Sequence, residues 1–218
     1  MSRTKYSPEK QKAIMAIFIE AANEIITEEG ANAVSIRNVS ARAGYSSATL
    51  YLYFRDINQL IAMASIGCLR DYVSEISSTM PTLTTAKEQY LYTWDSFCRH
   101  SFKNPSVFMH LFFNGRAEEL GDIVKKYYSI FPNELEDITT HALGMLTAGS
   151  LYERNFNILK EYTNEVGIPQ DQARIINDLT VCYYRKFLEE ANKCKHLDEA
   201  YCKKLADEFM KGAEYLLK

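Results

Sequence analysis

Apolar residues recur every three or four positions along most of this chain, and alternation of apolar with polar residues never lasts beyond a few residues. From 8 to 29, Ile14, Ile17, Phe18, Ala21, Ala22 and Ile25 form one stripe at helical period. Short helices are predicted next at 36–43 and 47–53, then a fourth that starts near Asp56 and runs into the seventies. Further helices are predicted at 84–102, 105–114, 123–131, 134–165, 169–192 and 197–217. The 134–165 stretch is long for one straight helix, and Gly144 and Gly149 are its natural breaks. Punctuation supports this pattern. Ser7-Pro8 and Asn104-Pro105 each put a capping residue before a proline at the first helical position. Pro81, Pro132 and Pro169 fall between periodic segments. Gly30 and Gly167 follow long helical patterns, where a left-handed terminal residue is expected. The predicted fold class is all-α.

Composition narrows the class of protein. With 218 residues, 47% hydrophobic and 24% charged, the chain can bury a core without disulfides or metal. It suits one large domain, or a small one joined to a larger. The net charge of -3 excludes a polycation that coats nucleic acid, but leaves room for a local basic patch. Five scattered cysteines and a polar N-terminal start point to reduced thiols in the cytoplasm. No apolar run reaches the roughly 20 residues of a membrane span.

The informative stretch is Ser35 to Leu60, SIRNVSARAGYSSATLYLYFRDINQL. Ser35 can cap a helix with Ile36, Val39 and Ala43 inward, and Gly44 can supply a left-handed turn. Ser46 can cap a second helix whose inner residues are Leu50 and Phe54. Two short helices about a glycine turn form a helix-turn-helix, and the second needs helix 1 to clamp it. On its helical wheel Ala48 and Leu52 face outward, Thr49 and Tyr51 flank them, and Ser47 and Tyr53 lie at the margins. This outer face has no acid. Hydroxyls there suit phosphates or base edges, and Leu52 suits a thymine methyl group. From Gly30 to Arg55 the chain has Arg37, Arg42 and Arg55 and no acidic residue. Two capped helices with a glycine turn also occur in helical proteins that never meet DNA. The acid-free window and the hydroxyl-rich face favour the DNA reading.

This stretch resembles the N-terminal domain of the TetR family of bacterial transcription regulators. The resemblance rests on Ser35-Ile36-Arg37, Val39, Ala43-Gly44, Tyr45-Ser46, Thr49-Leu50-Tyr51, Tyr53-Phe54 and Leu60. It implies a DNA-binding domain over residues 1–56 and a helical ligand-binding and dimerisation domain over 57–218. The candidate DNA-binding residues are Ser35, Arg37, Tyr45, Ser46, Ser47, Ala48, Thr49, Tyr51, Leu52, Tyr53 and Arg55. One departure stands out: family members usually carry a lysine where this chain has Ile57. Arg55 is the candidate substitute, and weak nonspecific DNA affinity is expected.

The rest of the chain is rich in aromatic residues. Most should be core, but the resemblance implies an apolar effector cavity. Trp94, Phe97, Phe108, Phe112, Tyr128, His141, Met145 and Tyr152 are its candidate lining. The resemblance also implies a homodimer through the helices near 169–192 and 197–217, with a near-palindromic double-stranded DNA operator and a small-molecule effector as partners. A repressor follows from family habit. An enzyme is the rival class, but no HExxH, CxxC, phosphate loop or GxSxG is present. Cys194, His196 and Cys202 match no strong zinc spacing, and no metal or other cofactor is expected. A helix-turn-helix protein acting through a protein partner remains the alternative.

Overall fold

The computed structural model describes residues 6–114, 119–135 and 149–218. Among the described residues it is helical and has no strand. Helix α1 spans Pro8–Glu29, with Ser7 Oγ accepting from the Lys10 amide. Gly30 follows at φ 86°, ψ 163°, so it does not take the left-handed helical conformation expected of it. Its positive φ still favours glycine, and it leads into a 3₁₀ turn, Ala31–Ala33.

Helix α2, Ile36–Ala43, is capped by Ser35 and ends at Gly44 in the left-handed conformation, φ 71° and ψ 23°. Helix α3, Ser47–Tyr53, is capped by Ser46. Both match their sequence-derived bounds. Val39 is fully buried in α2, while Ile36 and Ala43 pack on the core partly exposed. Helix α4, Ile57–Ile66, is capped by Asp56, whose carboxylate accepts from the Gln59 amide at 2.8 Å.

The fourth predicted helix does not run unbroken. It tightens into a 3₁₀ turn at Gly67–Leu69 and resumes as α5, Arg70–Thr79. Asn23 on α1 donates its amide to the Ala64 carbonyl at 2.9 Å, which competes for that acceptor within the helix. A Cβ on Gly67 would sit 3.3 Å from Asn23 Nδ2 and 3.4 Å from the Tyr127 hydroxyl, so glycine lets this break lie close to its neighbours.

The second layer begins with α6, Ala86–Ser101, closed by a reciprocal cap between Thr85 and Glu88. Helix α7, Pro105–Met109, continues as a wide π-helical turn, His110–Asn114. Helix α8 is Leu120–Ile130. Of the predicted 134–165 helix, residues 136–148 lie outside the described residues; a 3₁₀ turn at Pro132–Leu135 precedes them and helix α9, Leu151–Val166, follows. The Ser150–Glu153 reciprocal cap starts α9 just after Gly149, and Gly167 ends it left-handed. The proposed break at Gly144 lies outside the described residues. Helices α10, Gln170–Lys193, and α11, Glu199–Leu216, complete the chain.

α1 packs on α2 and α4, and α4 packs on α8. α6, α9, α10 and α11 form the larger body. A single apolar core runs from Ile14 to Leu217 through both parts, so motion of α4 is mechanically tied to the body.

Candidate nucleic-acid interface and effector cavity

α3 has only seven residues, below the ~12–15 at which an isolated helix becomes even marginal in water. Burial compensates. Leu50 and Phe54 are fully enclosed, each contributing about 1.5–3 kcal/mol relative to exposure, and Phe18 of α1 meets the Phe54 ring edge-on at 6.0 Å. The outer face is left open. Tyr51 is 55% exposed and Leu52 53%, with Ser47 and Ala48 exposed beside them. Thr49 is half-buried, and its hydroxyl lies 2.9 Å from that of Ser46.

Not every expected contact residue is on that face. Tyr53 is buried rather than marginal, and its hydroxyl has no hydrogen-bond partner among the described residues. The core beside Leu50 and Phe54 takes the ring, which a wheel of seven residues cannot foresee. Tyr45 is exposed but leans on Phe18, ring centres 5.4 Å apart. Ser35 spends its hydroxyl on the Asn38 amide at 3.2 Å. Arg37 is exposed and has no ion pair among the described residues.

The other two arginines of the acid-free window are met by acids from outside it. Arg42 pairs with Glu28 at 2.7 Å and Glu24 at 3.6 Å, both on α1. Arg55 pairs with Glu119 at 2.8 Å and Asp56 at 3.3 Å. The carboxylate of Glu119 thus reaches from the start of α8 to the end of α3. In the same cleft His110 is half-buried, with Nε2 enclosed and unpartnered among the described residues. Burial holds its pKa down, opposed by a hydrogen bond with the Asn58 backbone.

A second site lies in the body. α5, α6 and α9 enclose a cavity of about 50 Å³, with Phe112 of the π-helical turn reaching into its wall. Trp94, Phe97 and Phe112 line it, as the sequence suggests. Phe108 instead packs fully buried behind Phe97 and Phe112. Tyr128 packs against Tyr127 on α8, and the Tyr152 hydroxyl lies 3.5 Å from the Cys182 sulfur, both away from this cavity. His141 and Met145 lie outside the described residues.

The polar members of this lining were missed by sequence reasoning. Arg154 and Asn155 are 7% and 3% exposed. The Trp94 indole donates to Asn155 Oδ1 at 2.8 Å, and the Arg154 guanidinium sits 5.4 Å from the Phe112 ring. Burial pulls the Arg154 pKa down to about 10, which leaves it charged at neutral pH. A signal was available: 154 and 155 fall on the apolar stripe of α9, between Leu151 and Ile158.

An all-helical chain with a capped helix-turn-helix, an open recognition face and a separate cavity-bearing body has the build of a helix-turn-helix regulator. A family model described as "Bacterial regulatory proteins, tetR family" matches residues 18–64, and the chain thus carries the N-terminal domain of the TetR family. That match runs past residue 56 into α4. A comparison with curated proteins gives no significant match. Among solved structures, RolR in complex with resorcinol aligns over 97% of this chain and 94% of its own, at 16% identity and TM-score 0.59. Thermus thermophilus FadR with lauroyl-CoA covers 93% of each chain at 15% identity and TM-score 0.56. Bacillus subtilis FadR with stearoyl-CoA covers 90% of this chain and 98% of its own, at 16% identity and TM-score 0.51. These likenesses establish a shared fold. None of the helices is long and apolar enough to cross a membrane among the described residues.

Proposed function

We propose that this chain is a cytoplasmic, ligand-responsive transcription regulator that binds a near-palindromic DNA operator as a homodimer, represses from it, and is released by a small molecule. The observation that carries the reading is the open, acid-free outer face of α3 within a TetR-type N-terminal domain. Ser46, Ser47, Ala48, Thr49, Tyr51 and Leu52 meet the major groove, with Ser35, Arg37, Tyr45 and Arg55 at its edges. Tyr53 supports the helix from behind. No catalytic step and no metal or cofactor enters this reading. RolR with resorcinol and FadR with lauroyl-CoA, which share the fold, support a small molecule in the helical body.

Dimerisation has surface to use. Ile175 is 59% exposed and Leu179 50%, one turn apart on α10, and Tyr215 of α11 is exposed too. Two α10–α11 pairs packed about a twofold axis would set the recognition helices one DNA turn apart, ~34–36 Å. Leu69 and Tyr72, just beyond α4, line the cavity, so a ligand there touches the continuation of α4. It can shift the DNA-binding equilibrium only by its difference in affinity for the two states.

Selection of bound sequences from a random duplex pool, with wild type and Tyr51→Ala side by side, tests the reading. A near-palindrome enriched only by wild type is the expected result. No enrichment at low salt would overturn it in favour of a protein partner.

A further inference from the structure

We propose that Asn23 is a positioning residue for operator recognition: its bond to the Ala64 carbonyl breaks the fourth helix into α4 and α5, and so sets the recognition helix α3 relative to the body. This rests on the regulator reading and assigns one residue a task within it.

The break is where the two halves of the molecule meet. On its DNA side stands α1, whose Phe18 braces Tyr45 and Phe54 at ring-centre distances of 5.4 and 6.0 Å, so α3 is carried with α1. Five residues on from Phe18, the half-buried Asn23 places its Nδ2 2.9 Å from the Ala64 carbonyl and 4.0 Å from the Cys68 sulfur. On the other side lies the cavity. Leu69, the last residue of the 3₁₀ turn, is buried and lines it, and Tyr72 lines it three residues on. A ligand that displaces Leu69 therefore acts on the same turn that Asn23 holds.

The chemistry gives this turn two settings. In an unbroken α-helix the Ala64 carbonyl accepts from the amide four residues on, that of Cys68. The Asn23 amide competes for that oxygen, and a side chain inserted into the helical ladder is a known cause of a bend. Gly67 favours the broken setting too. Glycine is a poor helix former, and a Cβ there would lie 3.3 Å from Asn23 Nδ2. One hydrogen bond and one glycine are each modest effects, so a single substitution can shift the balance. With the tie gone, α4 and α5 join as one helix, and α4 turns against the body with α1 packed on it. An operator registers that turn, because both α3 helices of a dimer must enter successive major grooves together. Phosphate contacts with a random duplex do not require that spacing.

Full-length wild type, Asn23→Leu and Gly67→Ala are compared by hydrogen exchange over residues 64–70. Their affinity for the duplex recovered by selection is measured beside that for a random duplex of equal length. Asn23→Leu keeps a branched side chain and removes the donor. Gly67→Ala adds the Cβ that crowds the amide and favours helix. Either should slow exchange at residues 67–70 by about threefold or more and weaken operator binding by about tenfold or more, with random-duplex affinity held within about twofold. A merely destabilised protein would exchange faster and lose both affinities. The two variants act on the turn from opposite sides, so if one fails to fold the other decides. Unchanged or faster exchange in a folded variant overturns the proposal, as does slowed exchange with operator affinity intact. Operator binding by wild type and variants alike sinks this inference alone. A wild type that selects no operator sinks the regulator reading, and the exchange rates still report separately whether Asn23 breaks the helix.

Discussion

Leu52 is a large apolar side chain left half in water on a helix whose other leucine, Leu50, is enclosed. In a groove it would cover a thymine methyl group. Leu52→Ala should therefore relax preference at one or two thymine positions by about 1–3 kcal/mol per base pair, with the fold intact. An unchanged binding-site profile would remove Leu52 from the readout. At this scale, what the sequence discloses depends on periodicity. Leu50 and Phe54 lie inward and Tyr51 and Leu52 outward because 3.6 residues per turn separates them. Tyr53 was placed at the margin because the tertiary wall that buries it comes from outside the seven-residue helix. Arg154 and Asn155 were passed over because polar residues are ordinarily solvated, and their place on an apolar stripe becomes telling only once the cavity is seen.

Between elements, half-buried polar ties hold the cavity wall in place. Glu75 on α5 accepts from Arg99 and His100 on α6, at 2.5 and 2.9 Å, and from the Tyr92 hydroxyl at 2.8 Å. Burial by itself would raise the Glu75 pKa, but hydrogen bonds from Arg99, His100 and Tyr92 prevail and hold it at about 2, below its ordinary 4.5. The folded state thus prefers the ionised carboxylate. That stability is complete above about pH 4.5 and fades as pH falls towards 2. Glu75→Gln should flatten the fall in thermal midpoint across that window, and an equally steep fall in the variant would show that other carboxylates govern it. Tyr72, Val73 and Ile76 of the same helix line the cavity, so loosening this tie also loosens the wall. Helix positions were legible here from caps and glycines, down to both bounds of α2 and α3. The interruption of the fourth helix was not, because its cause is an amide on α1, 41 residues away from the carbonyl it captures.

Across the molecule, the all-α class and the two functional regions follow from pattern and motif, but the balance of charge does not. An arginine-bearing window without acids reads as a free basic surface. In the fold, α1 and the start of α8 supply carboxylates to Arg42 and Arg55. The Arg55–Glu119 pair has a consequence for how DNA affinity responds to ionic strength. A cation that meets a duplex phosphate normally displaces a counterion, and that release makes affinity fall with salt, by about 0.9 in the logarithmic slope per contact. Arg55 would exchange one anion for another instead. Added salt also screens its exposed pair with Glu119 and frees the guanidinium. Glu119→Gln should therefore raise affinity at low salt and steepen the slope by about 0.9 for each Arg55 that takes a phosphate. An unchanged slope would mean that Arg55 never leaves its carboxylates. In the native chain the pair acts as a built-in counterion, blunting the protein's response to the ionic medium.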